Sequence, residues 1–397
     1  MNEISKCEVC DSSDLETILD LGSHPLCDDL KPMNSNLECK EYPIEILFCN
    51  NCYTCHQRFQ VPKTKLFTKD YHYRARMTNS VLIGMKDFVN SCEQRLGNLK
   101  GLKVLDIGCN DGSLLNFFRE KGCETYGVEP TDAALDCQHS VLQEYFDENS
   151  ARLIAEKFGY PDIITFTNVF AHIENLKDMI KNLQILIGKN TNVVIENHYL
   201  GAVLDFSQFD TFYHEHPRTY SLKSFAFIAK SLGLNLVDFQ FVSRYGGNIR
   251  VFMGAHDAID FLPINESRFL GMFGKLNIEI LNWKRRAKEK ITLLNKIHGP
   301  LPAKAFPGRA AILIKMLALD VTNISAVYEI MGSIKVNHFV PSTNIPILPE
   351  KDLYELKDQP SVILNLAWHL PKEVRKNLEK NGYKGSVIDI KEFKFLT

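Results

Sequence analysis

The chain has 397 residues, 45% of them hydrophobic and 24% charged, and its formal net charge is -2. That length divides into two or three domains, and a near-neutral chain without clustered Lys and Arg argues against a DNA- or tRNA-directed role. No apolar run is long enough to cross a bilayer and the leading MNEISKCEVC has no signal-peptide core, so no membrane partner is expected and the expected setting is the cytoplasm.

Seven of the 11 cysteines (Cys7, Cys10, Cys27, Cys39, Cys49, Cys52 and Cys55) fall in the first 55 residues. In a long chain of this kind, thiols gathered so densely suit a metal better than disulfides. Cys7 and Cys10 form one C-x-x-C knuckle and Cys49 and Cys52 another, and two knuckles complete a closed tetrahedral S4 shell for Zn2+. A closed shell keeps no open position, so this zinc is expected to be structural, the staple of a unit too small to hold itself together. CNNCYTC offers two registers, and Cys55 competes with Cys52 for the fourth place. The module is expected to span residues 1–70.

Next comes KVLDIGCNDGSLL, from Lys103 to Leu115. Its apolar start reads as a buried parallel strand, its glycines as a tight loop, and Ser113 as the cap of the helix that follows. This is the first βα unit of a doubly wound α/β fold, without the G-x-G-x-x-G spacing of a dinucleotide site. Asp106, just before the loop, can hold the ammonium end of an amino-acid ligand. Glu129, closing the next strand ETYGVEP, suits ribose hydroxyls. Asn168 ends a further strand, and His172 is expected to end the strand NVFAHI at the switch region where ligands bind. The loop of Asp106, Gly108, Asn110, Asp111 and Gly112 resembles motif I of class I methyltransferases, which implies S-adenosylmethionine (SAM) as the ligand. This domain is expected over residues 71–255.

After the strand NVVIENHYL comes FDTFYHEH, which puts Tyr213, His214, Glu215 and His216 side by side. The H-x-H spacing has no partnering ligand pattern nearby, so general acid–base work fits better than metal binding. Ile280, Ala287 and Leu294 then mark a long linking helix, placed over 256–298. Residues 299–397 alternate strand and helix patterns, which predicts a second, smaller α/β sheet and an acceptor cleft between the two α/β units.

These segments together resemble the deoxysugar C-methyltransferases over nearly the whole chain. The resemblance rests on the knuckles with LGSHPL between them, on IGCNDGSLL, NVFAHI and FDTFYHEHPRTYS, and on GGNIRVF and PSTNIPI further along. It implies a small-molecule substrate, a nucleotide-linked keto sugar, and proton removal from the carbon beside the ketone before the enolate attacks the donor methyl. By that resemblance His216 is the base, Tyr213 and Glu215 shape the site or relay protons, His172 hydrogen-bonds near the sugar, and Tyr73 touches the substrate. Where the family has Ser-Ser, this chain has Arg74-Ala75-Arg76, so Arg74 and Arg76 are expected to bind an anionic substrate group. Gly308-Arg309 stands near the place of a family GAPAKG loop, with Arg309 expected at a phosphate on a helix N-terminus. A monomer or homodimer is expected. Two other readings are an O-methyltransferase, since a His base also deprotonates a hydroxyl, and a non-catalytic zinc-containing binding protein. The presence of Asp106, Gly108, Gly112 and Glu129 counts against the latter.

Overall fold

Val104, Leu105 and Ile107 offer water almost nothing, and the strand they form, Lys103–Ile107, lies buried near the middle of a seven-stranded sheet. A computed structural model of the chain describes residues 1–35, 38–67, 73–256, 258–259 and 264–391. The expected boundary at 70/71 and the start of DYHYRARM (Asp70, Tyr71 and His72) lie outside the described residues.

The strand order is Asn235–Val242, Asn248–Gly254, Asn192–His198, Ile163–Thr167, Lys103–Ile107, Glu124–Val128 and Ser140–Leu142. The last five run parallel and the first two add an antiparallel hairpin. Chain order reverses at Lys103–Ile107, so a crevice opens at the carboxyl ends of the central strands. Helices Ser113–Glu120, Glu148–Lys157, Leu176–Leu186 and Leu222–Ser231 flank the sheet, and two of them begin with reciprocal capping boxes at Asp147 and Ser221. The helix Ser113–Glu120 is capped differently from expectation. The Asp111 carboxylate accepts from the Ser113 amide and hydroxyl, because the left-handed Gly112 (φ 76°) turns Asp111 onto the first turn. His172 also departs from its expected place. The strand stops at Thr167, Asn168 turns left-handed (φ 56°), and Phe170–His172 form a single 3-10 turn.

The linking helix is Phe269–His298, 30 residues long. Its buried residues Phe269, Phe273, Leu276, Ile280, Trp283, Ala287, Ile291 and Leu294 recur every three or four positions and form one apolar stripe. Beyond it the expected strands and helices form at Ala310–Leu317, Ile324–Glu329, Val362–Asn365, Pro371–Lys380 and Ser386–Asp389. Among the described residues, no helix is long and apolar enough to cross a membrane.

The strands of the expected units interleave. The C-terminal sheet has seven strands, and its edge is Lys31–Pro32 from the N-terminal module, paired antiparallel with His338–Phe339. The N-terminal sheet has four, and its edge is Arg218–Thr219, paired with Cys55 and His56. Both borrowed pieces are two residues long, too short to carry a periodicity signal.

Candidate active site

The Sγ atoms of Cys7, Cys10, Cys49 and Cys52 all lie within 4.8 Å of one another. Both knuckles turn by the same device. The amide after the second cysteine donates to the carbonyl of the first, Asp11 to Cys7 at 3.0 Å and Tyr53 to Cys49 at 2.9 Å, with Asp11 and Tyr53 left-handed. Sγ separations of 3.4 Å (Cys7–Cys52) and 3.6 Å (Cys10–Cys49) approach the roughly 3.8 Å implied by tetrahedral bonds of about 2.3 Å, so the thiols fit zinc. Cys55 lies in the strand Cys55–Gln57, outside the cluster, which settles the register in favour of Cys52. His56 supports the shell from outside, its Nε2 3.3 Å from Cys7 Sγ.

The donor loop borders a cavity of about 1020 Å³, lined by Asp106, Gly108, Asn110, Glu129 and Asn168 among others. Gly108 must be glycine, because a Cβ there would stand 2.6 Å from the Val169 side chain and its φ is +75°. Asp106 accepts from Thr165 Oγ1 at 2.7 Å, and burial, with Glu129 nearby, pushes its carboxyl up to about 7. Glu129 accepts from the Asn110 amide at 3.0 Å and from Thr131 Oγ1 at 2.6 Å. Asn168 Nδ2 and Thr167 Oγ1 are buried without a hydrogen-bond partner while both residues line the cavity, which is the signature of a polar ligand site. Acids at both strand ends, a close backbone approach and orphaned polar atoms therefore fit an amino-acid nucleoside such as SAM. Asp111 and Gly112 fall behind this surface, where Asp111 accepts from the Arg76 amide at 3.0 Å.

Opposite the loop stands a cluster of histidines. The His216 ring lies 4.9 Å from that of His172, 5.3 Å from that of His198 and 4.2 Å from that of Tyr213. His216 Nδ1 contacts the Thr211 carbonyl at 3.0 Å, which puts the N–H on Nδ1 and leaves the Nε2 lone pair free of it. His172 Nδ1 contacts the Glu215 carbonyl at 2.8 Å in the same way. Burial lowers the pKa of His172 to about 4. Burial, then the charge of Arg309, brings His198 to about 3. Burial followed by its two histidine neighbours holds His216 well below the usual range. Glu215 shifts the opposite way, because burial and Asp28 push its carboxyl well above the usual range.

His214 leaves this group. Its Nε2 contacts the Tyr42 carbonyl at 3.0 Å, so it pins the segment to the N-terminal module and does not line the cavity. Arg74 and Arg76 also depart from expectation. Both pair with Asp136, at 2.7 and 3.1 Å, and neither lines the cavity, while the backbone between them is held by Asn110 and Asp111. These contacts fasten the segment beside the donor loop. Tyr73 and Arg309 do line the cavity. Arg309 Nε donates to Asp210 at 2.7 Å, and its Nη2 is buried without a hydrogen-bond partner.

Among the cavity residues that sequence reading missed are His198, Arg244, Tyr245 and His369. His198 closes the strand Asn192–His198 beside the switch point, and a strand-end position was the available signal. Tyr245 stacks on His198, with centroids 5.9 Å apart, and carries an unusual φ of 52°. His369 comes in from the distant C-terminal sheet, and nothing local announces it.

Comparison with known proteins agrees with this geometry. Residues 7–67 match the model of a zinc binding domain, residues 82–238 that of a methyltransferase domain, and residues 280–388 that of a C-methyltransferase C-terminal domain. The C-methyltransferase NovU of Streptomyces niveus is 28% identical over 254 residues, covering 63% of this chain and 60% of that protein. A ubiquinone biosynthesis O-methyltransferase of Acinetobacter baumannii (strain AYE) is 28% identical over 106 residues, 25% of this chain and 45% of that one. Among solved structures, magnesium protoporphyrin IX methyltransferase from Synechocystis PCC 6803 aligns over 43% of this chain and 83% of its own, at 18% identity and a TM-score of 0.34. Zinc-binding, methyltransferase and C-methyltransferase C-terminal models thus match this chain in that order, and it spans less than two thirds of the length of the curated relatives named here.

Proposed function

We propose that the protein transfers a methyl group from SAM to the carbon beside a ketone in a nucleotide-linked sugar. The observation that carries this reading is an imidazole nitrogen without its own proton, His216 Nε2, on a side chain that lines the same cavity as the donor loop. SAM supplies an electrophilic methyl group; the rest falls to this chain. Asp106, Gly108, Asn110, Glu129 and Asn168 hold the donor. His216 takes the proton from the carbon acid onto Nε2, and the electron pair moves onto the ketone oxygen. Tyr213 and the protonated Glu215 are neutral donors suited to that growing oxyanion, with His172 beside them. The carbon then bonds to the methyl as the methyl–sulfur bond breaks and S-adenosylhomocysteine leaves, and the weakly basic His216 releases its proton readily. Arg309, with Nη2 unpaired at the first turn of Ala310–Leu317, is the group suited to the nucleotide's phosphate.

The test is solvent deuterium exchange. With the demethylated product S-adenosylhomocysteine bound and no methyl to transfer, a nucleotide-linked keto sugar should gain deuterium at the carbon beside its ketone, read by mass spectrometry. His216→Ala should abolish that exchange and lower turnover by roughly 10²- to 10⁴-fold while S-adenosylhomocysteine binding persists. Methyl transfer without any exchange would move the reaction to oxygen.

A further inference from the structure

Three successive residues with positive φ are rare outside sites that need them, and Tyr245 (52°), Gly246 (85°) and Gly247 (128°) form such a run. The turn is locked from below. A Cβ at Gly246 would stand 2.6 Å from Gln208, one at Gly247 would stand 2.4 Å from Ala202, and Gln208 Nε2 donates to the Gly246 carbonyl at 2.7 Å. What this turn presents is Arg244. Its side chain lies across the helix Asn79–Leu96 at the one place where that helix has no side chain. A Cβ on Gly84 would stand 2.1 Å from Arg244 Cδ.

Arg244 lines the cavity with 11% of its side chain exposed, and its Nε and Nη1 have no hydrogen-bond partner. The nearest opposite charge is Glu196 at 3.4 Å, but that carboxylate is already gripped by Arg250 at 2.7 and 3.0 Å. Arg250 also reaches Asp87 at 3.0 Å, whereas Arg244 has only the longer contact to the fully buried Glu196 and is the guanidinium left half answered. Asn248 links this charge to the donor site, since its Nδ2 donates to Glu196 at 3.2 Å and to Asn168 Oδ1 at 2.9 Å. The incompletely paired Arg244 is thus linked through Glu196 and Asn248 to Asn168, across the strand ends from Glu129 at the ribose position.

We infer that Arg244 is the anchor for the carboxylate of the donor's amino-acid end, held rigid by the Tyr245–Gly247 turn and admitted by Gly84. This rests on the reading of the cavity as a SAM site. A guanidinium fork matches a carboxylate two bonds at a time, and a lysine would meet it only as a point charge.

Calorimetry separates the parts. Wild-type protein should bind SAM more tightly than decarboxylated SAM, which keeps the ammonium, sulfonium and nucleoside. Arg244→Met should weaken SAM about 10- to 100-fold and leave decarboxylated SAM unchanged, which also reports that the variant is folded. Arg244→Lys should recover part of the loss. Equal affinity of Arg244→Met and wild type for SAM, or an equal loss for both ligands, overturns the inference and leaves the donor reading standing. Failure of the wild-type protein to bind either ligand overturns the donor reading itself.

Discussion

Cys55 and Cys52 stand three residues apart, yet only Cys52 reaches the thiol cluster. Cys7→Ser or Cys52→Ser should therefore lose about one zinc per chain and most of the soluble protein, since metal binding and folding of such a module are one equilibrium. Cys55→Ser, a change inside a fully buried strand, should cost stability and keep the metal. Zinc content measured on purified protein checks this, and loss of zinc in Cys55→Ser would reverse the assignment. Residue by residue, the sequence announced the ligand chemistry where the spacing was local: C-x-x-C, the D-x-G loop, and Y-H-E-H. It did not foresee the pairing of Arg74 and Arg76 with Asp136, which lies about 60 residues away. His198, Arg244, Tyr245 and His369 went unnoticed for a similar reason, because each enters the cavity from a different element and carries no motif of its own.

At the level of elements, what positions the proposed catalytic segment is a splint. Arg218 leaves Pro217 as a strand edge on the zinc module, buried, with Nη1 on Glu8 at 2.6 Å and Nε on the Tyr220 hydroxyl at 3.0 Å. Glu8 sits inside the first knuckle, so the zinc fold and the His216 segment share one ion pair. Glu8→Gln should destabilise the protein by about 3 kcal/mol, because it leaves a buried guanidinium without its charge. It should also disturb turnover more than donor binding, and a denaturant melt together with donor calorimetry reads both. The helix Asn79–Leu96 makes a second case. Gly84→Ala normally gains up to about 1 kcal/mol in a helix interior, but here the methyl would strike Arg244. SAM affinity should therefore fall about tenfold, by the loss of one charge-assisted contact, and unchanged affinity would show that Arg244 can yield. The long strands, the donor helix and the apolar stripe of Phe269–His298 were legible because burial imposes a period. The two-residue strands were not, because a pair of residues has none.

Across the molecule, the buried histidines set the response to acid. His172, His198, His214 and His369 have pKa values brought down to between about 3 and 4, mainly by burial. An unfolded chain protonates them near 6.5, so between those limits the unfolded state binds more protons and stability falls as pH drops. Each contributes a loss of about 1 kcal/mol by pH 5.5. Asp106 and Glu215, whose pKa values are raised, gain stability over the same interval and offset part of it. The histidines outnumber them, so the melting temperature should be lower at pH 5.5 than at pH 7. A melting temperature that holds or rises would mean that these imidazoles are charged in the folded protein.

The strand Lys31–Pro32 reaches the solvent-side edge of a sheet whose other strands lie beyond residue 300. During synthesis it leaves the ribosome long before His338 and Phe339 exist, and it must be kept in place by the metal module until they arrive. Such a distant pairing is slow to form and leaves a bare sheet edge while it waits. A fragment trimmed of its first 70 residues would keep every donor contact named above and still expose the His338–Phe339 edge to other chains. Its aggregation would therefore say little about zinc and much about the order in which the polypeptide is made.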